Sequence, residues 1–223
     1  MIVETQNQNS KYYNIHGIVG ILVRNSQNQI AKIIDKEFQN FSAEDGESDL
    51  TIVLGSAPSD DWASRGSAMG SNILYDRNMD EVIILQHTKP VSPAQNVPFI
   101  IKGDMLKSSN VSIYLPDLRI GVPYWLKMAR MFVLNNFQSD EEIVADHILT
   151  SLVEPFLFYR LPSKGYSLVH GSAVSNGVGI LFYGLPNVGK TTMALQMVKE
   201  GYEFLGDDLV ILNENGRLLS YPK

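Results

Sequence analysis

The chain has 223 residues, enough for one large domain or two small ones. Its apolar content of 44% is that of an ordinary globular protein, and its net charge of −6 argues against a general nucleic-acid or membrane-surface binder. The lack of cysteine excludes disulfides, thiolate metal sites and cysteine nucleophiles, and it fits a reducing compartment. No apolar run reaches transmembrane length, and the first residues lack a charged region followed by an apolar core. The expectation is a cytoplasmic protein with no membrane partner.

In chain order, Tyr13 to Val23 is strand-like and Ile30 to Phe38 has the spacing of a short helix. Leu50 to Leu54 reads as a strand. The polar stretch Ser56 to Ser71, rich in Gly and Ser, reads as a loop. Asn72–Tyr75, Glu81–Leu85, Val97–Ile101 and Val111–Leu115 follow as candidate strands, and their short spacing suggests an antiparallel sheet. The period then changes. Tyr124 to Phe137 is apolar at helical spacing, and Ser139-Asp-Glu-Glu142 is a capping box that opens a second helix. Pro155 should kink or end that helix. A boundary near residue 135 divides a mixed α/β region, 1–135, from the remainder, 136–223.

Tyr166 to Ser175 and Gly177 to Tyr183 are apolar runs separated by Asn176-Gly177, a strong hairpin signal. A two-residue turn would pair Ser175 with Val178 and place His170 opposite Tyr183, beside the start of the next feature. An ordinary core or surface histidine is the plain alternative for His170.

That next feature is Gly184-Leu185-Pro186-Asn187-Val188-Gly189-Lys190-Thr191, a match to G-x-x-x-x-G-K-[ST], with Thr192 following. The glycines let successive backbone N–H groups converge on one anion. Lys190 supplies charge for the β- and γ-phosphates, and the Thr191 hydroxyl suits one site on Mg²⁺. A strand leads in and the helix Thr191 to Glu200 leads out, with Gly201 where a C-terminal cap glycine belongs. This order aims backbone donors and the helix dipole at phosphate. A plain Gly-rich turn would need neither the lysine nor the threonine.

Asp207 and Asp208 then interrupt an apolar strand-like run. Buried carboxylates are costly without a cation or donor. Strand alternation sends neighbours to opposite faces, so both can line one site only if the strand bends, which Gly206 would permit. The alternative is an exposed turn. Beside a phosphate loop the pair reads as a metal and general-base station.

His170-Gly171-Ser172-Ala173-Val174, Gly184 to Thr192, and Gly201 to Asp208 together resemble the core of HPr kinase/phosphorylase and its relatives. The likeness runs over about residues 160–213. It implies a phosphoenolpyruvate-carboxykinase-like phosphate-loop core that follows a β-rich N-terminal part. It also implies ATP or another nucleoside triphosphate and Mg²⁺ as cofactors, and transfer of a phosphoryl group to a hydroxyl of a protein, peptide or small molecule. In this scheme Lys190 binds the β-phosphate and Thr191 the metal. One aspartate of the pair acts as base, the other helps hold metal, and His170 supports the base. The loop departs from the family in having Pro186-Asn187 for Ser-Gly and Thr191 for serine. The family also continues well past the aspartates, so the chain reads as incomplete at its C-terminus, and neither phosphorylase activity nor hexamer formation is implied. Two other readings compete. Pro186-Asn-Val-Gly-Lys-Thr191 also resembles the first motif of translation-type GTPases, but no D-x-x-G or N-K-x-D follows. A nucleotide-sensing or peptide-binding module without catalysis is the second. The sequence sets neither the acceptor, nor the base of the nucleotide, nor the oligomeric state.

Overall fold

The computed structural model describes residues 10–26, 28–55, 67–70, 73–76, 81–84, 99–103, 111–115 and 139–222. They divide into two units, Met1–Val153 and Glu154–Lys223.

In the first unit the apolar run from Tyr13 does not form one strand. His16 (φ 53°) and Gly17 (φ 75°) take positive φ, and Ile18 N–H donates to Ile15 C=O at 2.8 Å. The chain reverses there into an antiparallel hairpin of β1 (Ser10–Ile15) and β2 (Val19–Arg24). Glycine takes positive φ at no steric cost, so His16-Gly17 can turn inside a sequence that otherwise favours strand. Helix α1 (Gln29–Phe38) forms where the periodicity predicts it. Asn28 caps it by accepting from Ile30 N–H, and Ile30, Ala31, Ile34 and Phe38 share its buried face. The Phe38 ring meets Tyr13 at a centroid distance of 5.5 Å, a tilted contact of the kind aromatic pairs favour.

The remaining strands of this unit are β3 (Ser42–Ala43), β4 (Leu50–Leu54), β5 (Ser67–Gly70), β6 (Ile73–Asp76), β7 (Glu81–Ile84), β8 (Phe99–Lys102) and β9 (Val111–Leu115). Their order is β3-β1-β2-β4-β9-β8-β7-β6-β5. The sheet is mixed, not purely antiparallel: β2 pairs β4, and β4 pairs β9, in parallel. The path from β2 to β4 runs through α1, and such a crossover is what lets consecutive strands run parallel. Leu50, Thr51, Ile52 and Leu54 are all buried, as expected of a parallel strand covered on both faces. Residues 67–70 form a strand where a loop was expected. The rest of that expected loop that precedes β5 lies outside the described residues, as does the helix expected at Tyr124–Phe137.

Helix α2 (Asp140–Ile148) starts at the expected capping box. Ser139 Oγ accepts from Glu142 N–H at 3.1 Å, and Ser139 N–H donates to Glu142 Oε2 at 2.6 Å. Its buried residues include Ile143, Val144 and Ile148, and it packs against α1. Pro155 neither ends nor breaks the helical run. Leu149–Val153 adopts π-helical turns, and α3 (Glu154–Arg160) resumes as α-helix. The wider turns change the hydrogen-bond pattern just where the missing proline N–H would interrupt it.

The second unit is built on β10 (Tyr166–Ser175), which has the predicted bounds. One side of β10 pairs with β11 (Gly179–Tyr183). The other side pairs with two strands in succession, β12 (Glu203–Gly206) along its C-terminal end and β13 (Leu209–Asn213) along its N-terminal end. A short β14 (Leu218–Ser220) pairs with β13. Helix α4 (Lys190–Lys199) packs on β10, β11 and β12, with Ala194 fully buried. It ends as predicted at Gly201 (φ 97°). Gly201 N–H donates to Val198 C=O at 3.0 Å and Tyr202 N–H to Met197 C=O at 3.1 Å, the paired bonds of a Schellman cap.

The β10–β11 hairpin exists, but its turn is one residue longer than predicted. Ser175 pairs with Gly179, so Gly171 and not His170 lies opposite Tyr183. Asn176, Gly177 (φ 75°) and Val178 form the loop, and Asn176 N–H donates to Val178 C=O at 3.2 Å. One extra loop residue moves every following side chain to the other face.

Candidate functional site

Between β11 and α4 the chain runs through a Gly-rich loop whose backbone only certain residues tolerate. Gly184 has φ 149°, Asn187 φ 63° and Gly189 φ 91°. Asparagine is among the few side-chain-bearing residues that visit the left-handed region readily. That explains how Asn187 can stand where the family resemblance expects glycine. Gly189 caps α4, and its C=O accepts from Met193 N–H at 3.0 Å. Lys190, the first helical residue, reaches back over the loop. Its Nζ donates to Gly184 C=O at 3.1 Å and to Leu185 C=O at 3.0 Å. The ammonium charge is thereby held beside the helix N-terminus, where the dipole also favours an anion. Pro186 and Thr192 are exposed, and so are Leu185 (76%) and Val188 (60%).

The aspartate pair sits at a break in the sheet. Ala173 pairs with Gly206, and His170 pairs with Leu209. Gly171 and Ser172 on β10 therefore face Asp207 and Asp208, which belong to neither strand. The bend that the sequence assigns to Gly206 falls on the aspartates themselves. Leu209 N–H donates to Asp207 C=O at 2.8 Å around Asp208 at φ 65°, a γ-turn of the rare positive-φ hand. Gly171 N–H fastens the corner by donating to Asp208 C=O at 3.1 Å. A Cβ at Gly171 would lie 2.6 Å from the Phe182 carbonyl oxygen, so the close approach of β11 requires glycine here.

The corner brings two of the sequence-predicted residues together. Thr191 Oγ1 donates to the Asp207 carboxylate, 2.9 Å from Oδ1 and 3.0 Å from Oδ2. Asp207 is half-buried and Asp208 exposed. His170 stands exposed on β10, two residues along the strand from Ser172.

Ser172 is the residue that sequence reasoning passed over. It is fully buried, and its hydroxyl donates to Asp207 Oδ1. The available signal was its position two residues after His170, which puts both on one face of β10.

Thr191 and Asp207 offer a hydroxyl and a carboxylate, both hard oxygen donors of the type Mg²⁺ prefers. Among the described residues no cluster of three His, Cys, Asp or Glu side chains could hold a metal ion. The pair fits a metal held jointly with phosphate oxygens and water, the usual arrangement for Mg²⁺ at nucleotides.

No protein-family model matches the chain. Part of it is similar to HPr kinase/phosphorylases. The identity is 30% over 87 residues with that of Malacoplasma penetrans, covering 39% of this chain and 27% of that protein. It is 38% over 66 residues with that of Chlorobium phaeobacteroides, covering 29% and 19%. With that of Prosthecochloris aestuarii it is 38% over 52 residues, covering 23% and 15%. The chain thus spans about a quarter or less of the length of the curated relatives it matches. The likeness is distant and partial, and it is to kinases. The fold is mixed α/β, and among the described residues no helix is long and apolar enough to cross a membrane.

Proposed function

We propose that residues 136–223 include the nucleotide-binding part of a kinase related to HPr kinase/phosphorylase, with every site residue in Glu154–Lys223. It would transfer the γ-phosphoryl group of ATP to a hydroxyl, serine being the favoured acceptor, on a protein, peptide or small molecule. The observation that carries this reading is the Thr191–Asp207 contact beside a Gly-rich loop and Lys190. A plain turn between strand and helix has no use for that combination, whereas phosphoryl transfer needs charge and metal-binding oxygens at one place.

In this reading Lys190 leaves the loop carbonyls and places its charge on the phosphates. The backbone N–H groups from Gly184 to Thr191 bind the same anion. Thr191 and Asp207 would hold Mg²⁺, which neutralises charge on the phosphate oxygens when bound. Asp208, exposed at the centre of the γ-turn, would take the proton of the acceptor hydroxyl as that oxygen bonds to the γ-phosphorus. The bond to the β–γ bridging oxygen breaks and ADP leaves. His170 would support Asp208 from the adjoining strand. Positioning and charge supply most of the rate in such chemistry.

Calorimetric titration of the folded chain with ATP and Mg²⁺ tests the first step. Lys190→Ala should remove most of the affinity, and equal binding by both proteins would overturn the reading. Tight binding with no phosphoryl transfer by any longer natural form would instead favour a nucleotide-sensing module.

A further inference from the structure

We infer that Ser172 is a positioning residue that holds the Asp207 carboxylate toward Thr191, an inference that rests on the metal role proposed above. Ser172 has no exposed surface. Ser172 stands with Asp49 and Thr51 among the buried polar residues. Burying a hydroxyl costs free energy unless it is hydrogen-bonded, and an apolar residue of similar size would fill the same place on β10 without that cost. The Ser172 hydroxyl has one proton, and it uses that proton in the hydrogen bond it donates to Asp207 Oδ1. The same oxygen lies 2.9 Å from Thr191 Oγ1.

Strand β10 therefore grips the corner twice. Gly171 N–H holds the backbone at Asp208, and Ser172 holds the side chain of Asp207. Strand pairing resumes on either side, at His170↔Leu209 and Ala173↔Gly206. A half-buried carboxylate on a γ-turn has several staggered orientations open to it. A buried donor on the neighbouring strand selects the one that faces Thr191. The selection is made before any cation arrives, so binding a cation does not have to order the carboxylate. Partners of metal-binding side chains typically matter by ~10–100-fold in metal affinity.

The test uses the 223-residue chain with ATP and Mn²⁺ in place of Mg²⁺. Free and bound Mn²⁺ are separated by electron paramagnetic resonance at fixed ATP, with the Mn²⁺ held by ATP alone subtracted. Ser172→Ala should raise the Mn²⁺ concentration for half-saturation about tenfold and leave ATP affinity in EDTA unchanged. Ser172→Thr, which keeps the hydroxyl, should recover most of the loss. Ser167→Ala, at an exposed place on the same strand, should match wild type. If Ser172→Ala saturates at the wild-type Mn²⁺ concentration, the inference is wrong while the kinase reading stands. If wild type itself binds no protein-dependent Mn²⁺ with ATP, the metal role fails, and the inference fails with it. Should Ser172→Ala unfold, the comparison of Ser172→Thr with Ser172→Cys decides. The thiol donates weakly, so equal Mn²⁺ binding by the two would overturn the inference.

Discussion

Thr191 Oγ1 donates to both carboxylate oxygens of Asp207, at 2.9 and 3.0 Å, and so joins the first turn of α4 to the corner between β12 and β13. The contact makes different demands on the carboxylate as a charge and as an acceptor, and substitution separates them. Asp207→Asn keeps an acceptor oxygen for Thr191 and Ser172 but loses the charge. It should abolish the gain in ATP affinity that Mg²⁺ gives and leave folding nearly intact. Asp207→Ala also leaves the buried Ser172 hydroxyl without its acceptor, and should cost a further ~1–3 kcal/mol of stability. Calorimetry with and without Mg²⁺, beside urea unfolding of both variants, reads the two effects. A Mg²⁺ response in Asp207→Asn equal to wild type would remove the metal assignment.

Asp208 holds φ 65° at the centre of the γ-turn. A residue without Cβ branching adopts this conformation at less cost, and a β-branched residue clashes. Asp208→Gly and Asp208→Asn should remain within about 1 kcal/mol of wild type in unfolding free energy, while Asp208→Val should lose about 1–3 kcal/mol. All three should fail in phosphoryl transfer, since each removes the proposed base. Equal stability of the glycine and valine variants would mean that the turn relaxes in solution.

The capping box at Ser139 satisfies otherwise unpaired N–H groups at the start of α2. Ser139→Ala should lower the stability of the unit containing α2 by about 0.5–2 kcal/mol. Nucleotide binding should be unaffected, because every residue of the proposed site lies in the other unit. Thermal unfolding followed by circular dichroism, paired with ATP titration, checks both parts. A shift in ATP affinity would contradict this expectation.

Two buried phenols set an alkaline limit. Burial first, then the hydrogen bond to Asp35 and its charge, raises the Tyr13 hydroxyl well above the ordinary tyrosine range. Burial first, then the charge of Glu154, raises Tyr221 likewise. A group whose folded pKa lies above its unfolded value adds stability that is complete below the unfolded value and lost above it. The unfolded phenol titrates near pH ~10, so stability should hold up to about that pH and fall as pH rises beyond it. Urea unfolding between about pH 8 and 11 should show the decline. Tyr221→Phe should make the decline shallower, and an unchanged slope would show that Tyr221 ionises freely in the folded chain.

The sequence alone determined the parts of the second unit that depend on near neighbours. The apolar run Tyr166 to Ser175 gave β10 its bounds. Asn176-Gly177 marked the reversal into β11. The glycines and Lys190 marked the loop, and Gly201 marked the end of α4. Each follows from dihedral preference or periodicity over a few residues, which the chain carries locally. Local signals also placed α1 and the Ser139 cap.

The tertiary structure decided what depends on pairing. The hairpin loop is one residue longer than the dipeptide suggests, and that single step puts Gly171 opposite Tyr183 in place of His170. The two parallel pairings of β4 arise from strands far apart in the chain. The division between Asp207, which meets Thr191, and Asp208, which is exposed, arises from a break in the ladder along β10. Ser172 meets Asp207 across 35 positions of sequence. Adjacent aspartates in a strand-like run look equivalent in sequence. They are distinguished only when two neighbouring strands leave a gap at one place on a third, because register is a property of the assembled sheet and not of any one strand.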